Sequence, residues 1–247
     1  MPEVCEGGRG TIAFAPSSCA QTTRMAAFAA SAPKSAEPVP TSLETVYTFE
    51  LFEGRTLTAI LFDGVSNSAA LRKQLLAQSL DAALINPDSV AGTLHLRIAA
   101  NKALLNEATR EGGLATNSLH AELVYSLSAS RNISAAFRAF GIADASTRVL
   151  LCVFDAGRPK AHAAGGGGGD GSANNNLTAD GMRALVAGTP VDIGALNVDA
   201  AATAKVAHLR KLFKVGDLEL ACRAGSAAAC GGALQAAIVS KVAARDV

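Results

Sequence analysis

The stretch "RVLLCVFDA", Arg148 to Ala156, limits what this chain can fold into more than any other. It is a continuous apolar run between polar flanks, which is how a central β-strand reads. A central strand needs partners. "VYTFELF" and "TLTAILF" are both β-rich, and the Glu53-Gly54 pair between them suits a tight reversal, so residues 46–63 are expected to form a hairpin that Asp63-Gly64 closes. "LHAELVYSLS" alternates well enough to be read as a further strand, and "AALINP" is a short apolar segment stopped by Pro87.

Helical segments separate these. "NSAALRKQLLAQS" is expected to be a helix capped by Ser66 or Asn67, with Leu71, Leu75 and Leu76 on one side. A long amphipathic helix runs from Val90 to near Gly112-Gly113, and "NISAAFRAFGI" is a short one capped by Asn132 or Ser134 and closed by Gly141. "LTADGMRALVAG" suggests one weak helix and "DAAATAKVAHLRKLFKV" a stronger one. The last spans about Ala227 to Arg245, with Cys230, Leu234, Ile238 and Val242 spaced by four. Strands and helices mix without strict alternation, and the chain starts with a hairpin. The expected class is therefore α+β, a two-layer sandwich of an antiparallel or mixed sheet with helices mainly on one face.

One domain is expected from residue 45 to 247, with a disordered glycine-rich insertion at about 158–177, "GRPKAHAAGGGGGDGSANNN". Residues 1–44 are rich in Ala, Ser, Thr and Pro without apolar periodicity and read as a disordered extension. The acid-free span from Gly7 to Ala36 resembles an organellar transit peptide, but Glu3 and Glu6 sit where such peptides avoid acids.

Composition narrows the function classes. The net charge of +1 argues against bulk electrostatic binding of nucleic acid, so any such contact must come from a local patch. The five cysteines, Cys5, Cys19, Cys152, Cys222 and Cys230, include no C-x-x-C pair, and Cys152 reads as a small core residue. That usage fits a reducing compartment. No apolar stretch approaches the ~20 residues of a membrane span, and no membrane partner is expected. The glycine run Gly165 to Gly169 lacks the Gly-Lys-Ser/Thr ending that grips a phosphate and its magnesium. His95, His120, His162 and His208 show no metal-ligand spacing, and no G-x-S-x-G elbow exists. No metal, cofactor or catalytic group is expected, and the chain is read as a non-enzyme.

The long helix carries an oddity. On a wheel of about 100° per residue, Val90, Leu94, Ile98, Leu105 and Ala108 fall on one stripe, and Asn101 falls in its middle. Either the amide is buried and satisfied, or the stripe faces something other than core. His95, Lys102 and Asn106 flank the stripe on one side and Arg97 on the other. A second basic set, Lys205, His208, Arg210, Lys211 and Lys214, surrounds the apolar side formed by Val206, Leu209, Leu212 and Phe213.

Four segments carry a family likeness, in order: "LFDGVSNSAALRKQLL", "AALINPDSVAGTLHLRIAANKAL", "NSLHAELVYSLSASRNISAAFRAFGI" and "RVLLCVFD". Together they resemble the kinase-binding subunit of the KEOPS (EKC) complex. The likeness is strong from about Tyr47 to Asp155 and looser from Asp192 to Val247. It departs around Cys222, Arg223, Gly225 and Gly231-Gly232, and it does not cover the N-terminal extension or the glycine tract. The resemblance implies a non-catalytic subunit that docks on the atypical kinase/ATPase of the complex, meets the other subunits through it, and captures tRNA by its 3′ CCA end. The complex makes threonylcarbamoyladenosine beside the anticodon. The implied setting is cytoplasm and nucleus. An unpaired CCA end can splay bases onto apolar surface while amides read their edges and cations meet phosphates. On that basis His95, Ile98, Asn101, Lys102, Lys211 and Lys214 are the expected tRNA contacts, and Leu234, Val239 and Ala243 on the last helix the expected kinase contacts. The alternatives are a stand-alone tRNA-binding module, or a small nucleotide-binding enzyme using the glycine tract.

Overall fold

The computed structural model describes residues 43–109, 114–157, 178–198, 203–221 and 230–246. The N-terminal extension, the glycine tract and the segment carrying Cys222, Arg223 and Gly225 lie outside the described residues.

The apolar run at Val149–Phe154 is strand β4, and all six of its residues are buried. It lies between β2 (Arg55–Asp63) and β3 (Ala83–Ile85), antiparallel to both, with Ala59 and Ala83 on either side of Cys152. The hairpin expectation holds: β1 (Glu44–Phe49) pairs antiparallel with β2 over Arg55 to Ile60. The reversal uses left-handed backbone at Glu53 and Gly54 (φ 54° and 70°), a conformation glycine adopts without steric cost. A three-residue strand β5 (Thr189–Val191), which the sequence pattern did not disclose, continues beyond β1 along the same side of β2, opposite Leu61 to Asp63.

Period-two alternation sorts the strands into two faces. Leu57, Ala59, Leu61, Leu150, Cys152 and Phe154 enter the larger core. Five helices contribute to that core: α2 (Thr93–Thr109), α3 (Leu119–Ser126), α4 (Ile133–Phe140), α6 (Thr203–Phe213) and α8 (Cys230–Ala243). Ile60, Phe62, Val149, Leu151 and Val153 face the other way, under α1 (Ser68–Leu76) and α5 (Ala179–Leu185). A short helix α7 (Asp217–Ala221) precedes α8. The fold is α+β around an open antiparallel sheet, with most helices on one face. No helix among the described residues is long and apolar enough to cross a membrane.

Three local expectations are corrected. "LHAELVYSLS" is helix α3, not a strand. Ser118 Oγ accepts the Ala121 N–H as an N-cap, and nearly every side chain from His120 to Ser128 is buried. A short segment buried almost all round carries no usable period. The buried carboxylate of Glu122 accepts hydrogen bonds from Asn106 Nδ2 and Thr116 Oγ1, each at 2.9 Å, tying α3 to α2 and to the segment before it. Leu76 lies off the buried side of α1 and is largely exposed, because that face is carried by Ser68 and Leu71. The long helix begins at Thr93 rather than Val90. Pro87–Ser89 form a 3-10 turn and Gly92 (φ 150°) breaks the chain direction, where any Cβ would strike Gln235 and Asn197.

Candidate docking and RNA-contact surfaces

Helix α2 settles the position of Asn101. Its core side is Leu96, Ala99, Ala100, Ala103 and Leu104, together with His95. The stripe of larger aliphatics points the other way: Leu94 and Leu105 are 45% and 49% exposed, Ala108 is exposed, and Ile98 and Asn101 are half-buried. Alanines on the inner side let α2 approach its neighbours closely, while the leucines are left on the surface. Asn101 therefore sits in an accessible apolar stripe, not in the core.

His95 is corrected from a surface contact to a core residue. It is fully buried, ringed edge-on by Phe140 and Phe213. Nδ1 accepts the Ala91 N–H at 3.2 Å, and Nε2 lies 3.0 Å from the Leu127 carbonyl, so the proton is on Nε2. Burial pushes its pKa down to about 4 against the opposing pull of that carbonyl, and the ring is neutral at physiological pH. It cannot touch RNA. Lys102 is also committed: its Nζ donates to the Val242 carbonyl at 2.7 Å, a cation at the C-terminal end of α8. The flank expected to be basic is thus one buried imidazole and one helix-capping lysine. Arg97, on the other flank, lies over the Tyr47 ring at 5.6 Å.

Helix α8 runs beside α2. Gln235 lies at Gly92, and the Val242 carbonyl is held by Lys102, so the row 235–239–242 borders α2. Val239 is in that row and half-buried; Ala243 is exposed. Ile98 is one turn before Lys102 and lies on the same border of α2. The two neighbouring helices each present uncharged side chains: Leu94, Ile98, Asn101 and Leu105 on α2, and Val239 and Ala243 with small neighbours Ala236 and Ser240 on α8. Leu234 does not belong to this surface. It is buried with Ile238 and Val242 in the larger core, because the stripe at four-residue spacing is the inner side of α8, and it is corrected from a contact to a packing residue.

The α6 basic set is thinner than its sequence. Lys205 Nζ donates to the Leu196 carbonyl at 2.7 Å, and Arg210 pairs with Asp217. His208 Nε2 lies 3.4 Å from Ser89 Oγ, whose own proton goes to the Ala139 carbonyl. Lys211 and Lys214 are exposed at the C-terminal end of α6, where their charges also complement the helix dipole. The last carbonyl of this turn, at Lys214, accepts from Lys241 Nζ at 3.0 Å.

The histidine-acid pair His120–Asp81 is structural. Nε2 accepts the Phe154 N–H at 3.0 Å, which places the proton on Nδ1, 2.7 Å from Asp81 Oδ1. Burial pushes the Cys152 thiol pKa up, so the thiol stays protonated and unreactive. No cluster of three metal-ligating side chains occurs among the described residues.

A family model described as kinase binding protein CGI-121 matches residues 62–246 of this chain, three quarters of its length. The chain belongs to the CGI-121 family. Among curated proteins it is similar to the zebrafish (Danio rerio) EKC/KEOPS complex subunit TPRKB, 31% identical over 198 residues that cover 80% of this chain and 95% of that one. It is 27% identical to the EKC/KEOPS complex subunit cgi121 of Aspergillus fumigatus over 178 residues, 71% of this chain and 85% of the relative. A 37% identical match to the Gibberella zeae subunit CGI121 covers 45% of this chain and 56% of that protein. The CGI-121 match begins in β2 and ends past α8, so the α2–α8 surface and the exposed lysines of α6 lie within it.

Proposed function

We propose that this chain is the non-catalytic kinase-binding subunit of a KEOPS complex, and that it docks the kinase through the α2–α8 surface. The observation that carries this is the outward aliphatic stripe of α2. Interface centres are depleted of charge and enriched in packable apolar groups, and Leu94, Ile98, Asn101, Leu105, Val239 and Ala243 include no ionisable side chain. With His95 buried, Lys102 holding α8 and Arg97 over the Tyr47 ring, the cations flanking the stripe among the described residues are already engaged, which suits a single-stranded RNA surface poorly. A protein partner suits it better. The printed names of the relatives, subunits of EKC/KEOPS complexes, support the assignment.

Capture of tRNA belongs to the same reading, through Lys211 and Lys214. Both residues are exposed at one helix end and lie outside the uncharged stripe of α2. Affinity pull-down of the full chain from its native cells, with mass spectrometry and RNA sequencing, tests both parts. The kinase and tRNA are expected together. A preparation that brings down tRNA without kinase would replace this reading with a stand-alone RNA-binding module.

A further inference from the structure

The C-terminal end of α8 is fastened by side chains from two other parts of the chain. Arg245, in the 3-10 turn Ala244–Asp246 that follows α8, is 7% exposed. Its Nη1 donates to the Tyr125 carbonyl at 2.8 Å and to the Ser128 carbonyl at 2.9 Å, and its guanidinium lies 4.1 Å over the Tyr125 ring. The backbone carbonyl of Arg245 accepts two hydrogen bonds from Arg131, Nε at 3.0 Å and Nη2 at 2.9 Å. One arginine thus reaches from the tail into the end of α3, and another reaches back from the α3–α4 loop to the tail.

That loop is itself prepared for the task. Ser128 Oγ accepts the Ser130 N–H, Ser130 Oγ accepts the Asn132 N–H, and Asn132 Oδ1 caps α4 through the Ala135 N–H. Two successive side-chain turns hold residues 128–132, the cap anchors them to α4, and Arg131 is aimed at the tail. Lys102 completes the arrangement from α2 by holding the Val242 carbonyl. The last carbonyls of a helix have no intrahelical partner. Here Val242 and the turn after it are satisfied by cations from two other elements, which also suit the negative end of the helix dipole.

Resting on the reading that the kinase docks at the α2–α8 surface, we infer that Arg131 and Arg245 are positioning residues for that docking: their reciprocal clasp fixes the last turn of α8, and so the placement of Val239 and Ala243 relative to α2. Neither arginine need touch the partner. Arg131 is the informative one to change, because it is exposed and belongs to neither core.

The test uses the full chain with Arg131→Met and Arg131→Lys, alongside Ala243→Glu as a control for the docking surface itself. Hydrogen exchange is read at the amides of residues 239–246 in the free protein, and affinity for the purified kinase by calorimetry. Arg131→Met is expected to speed exchange at those amides, leave exchange in the sheet unchanged, and weaken kinase binding about tenfold. Arg131→Lys, which restores a donor but not the two-pronged fork, is expected to recover part of both. Unchanged exchange in Arg131→Met would overturn the clasp whatever the kinase does. Faster exchange with unaltered affinity would overturn its positioning role while leaving the docking surface intact. Full affinity in Ala243→Glu would remove the docking surface, and the positioning role with it.

Discussion

Acidification supplies a sharp test of the His95 assignment. The imidazole is fully buried between Phe140 and Phe213, with its pKa pushed down to about 4. In the unfolded chain it titrates near the ordinary ~6.5. Between those values the unfolded state binds the proton and the folded state does not, so stability rises with pH and is lost as pH falls through 6.5 towards 4. Moving from pH 7 to pH 5 costs about 2 kcal/mol from this one group, and the full loss approaches roughly 3 kcal/mol below pH 4. For a domain of this size that corresponds to a fall in Tm of about 4–8 °C at pH 5. Carboxylates titrate over part of the same range, so the comparison must be internal. His95→Gln retains an acceptor for the Ala91 N–H and a donor for the Leu127 carbonyl but does not titrate. Denaturant unfolding of both proteins at pH 7 and pH 5 is expected to show the wild type losing about 2 kcal/mol more than the variant. Equal losses would refute a buried, neutral His95, and would reopen its place on the surface.

Three further outcomes follow from the packing and the exposed charges. Leu234→Ala, inside the larger core, should destabilise the chain by about 2–5 kcal/mol in denaturant unfolding, whereas Leu76→Ser on the exposed side of α1 should change it by under about 0.5 kcal/mol. Reversing both Lys211 and Lys214 to Glu should weaken tRNA binding and flatten its salt dependence by up to about two phosphate contacts, read from affinity against salt concentration, with the fold retained and Tm lowered only slightly by two carboxylates at the C-terminal end of α6. Lys102→Glu should instead lower Tm, because a carboxylate would face the Val242 carbonyl at the end of α8.

What the sequence disclosed was decided by how plainly each residue's period or chemistry spoke. The β1–β2 hairpin and β4 were legible because β-branched and aromatic runs with a Glu-Gly reversal leave few other conformations. The row Leu234, Ile238 and Val242 of α8 is legible as a regular apolar stripe, but Leu234, expected to contact the kinase, packs inward with the other two. Helix α3 was misread because burial on nearly all sides erases periodicity, and the signals that set it are a single serine cap and a buried glutamate. β5 was invisible: three residues containing a proline register only through tertiary pairing with β2. In α2 the aliphatic stripe is legible, but the direction it faces is not, because a wheel carries both a buried amide and a ligand-facing one equally well. The close-packed side is the alanine row, so Ile98 and Asn101 lie at the surface as expected of contact residues, while His95, expected on the flank, lies in the core. The Arg131–Arg245 clasp had no sequence signal, since an arginine near a helix end normally reads as solvated.

The docking face itself is tested most directly by titrating purified kinase against the full chain and three surface variants, Leu105→Glu, Ala243→Glu and the two combined. Docking across α2 and α8 predicts that each single change weakens binding and that the pair abolishes it, while Tm stays near the wild-type value because exposed substitutions cost under about 0.5 kcal/mol. Wild-type affinity in the folded double variant would contradict it.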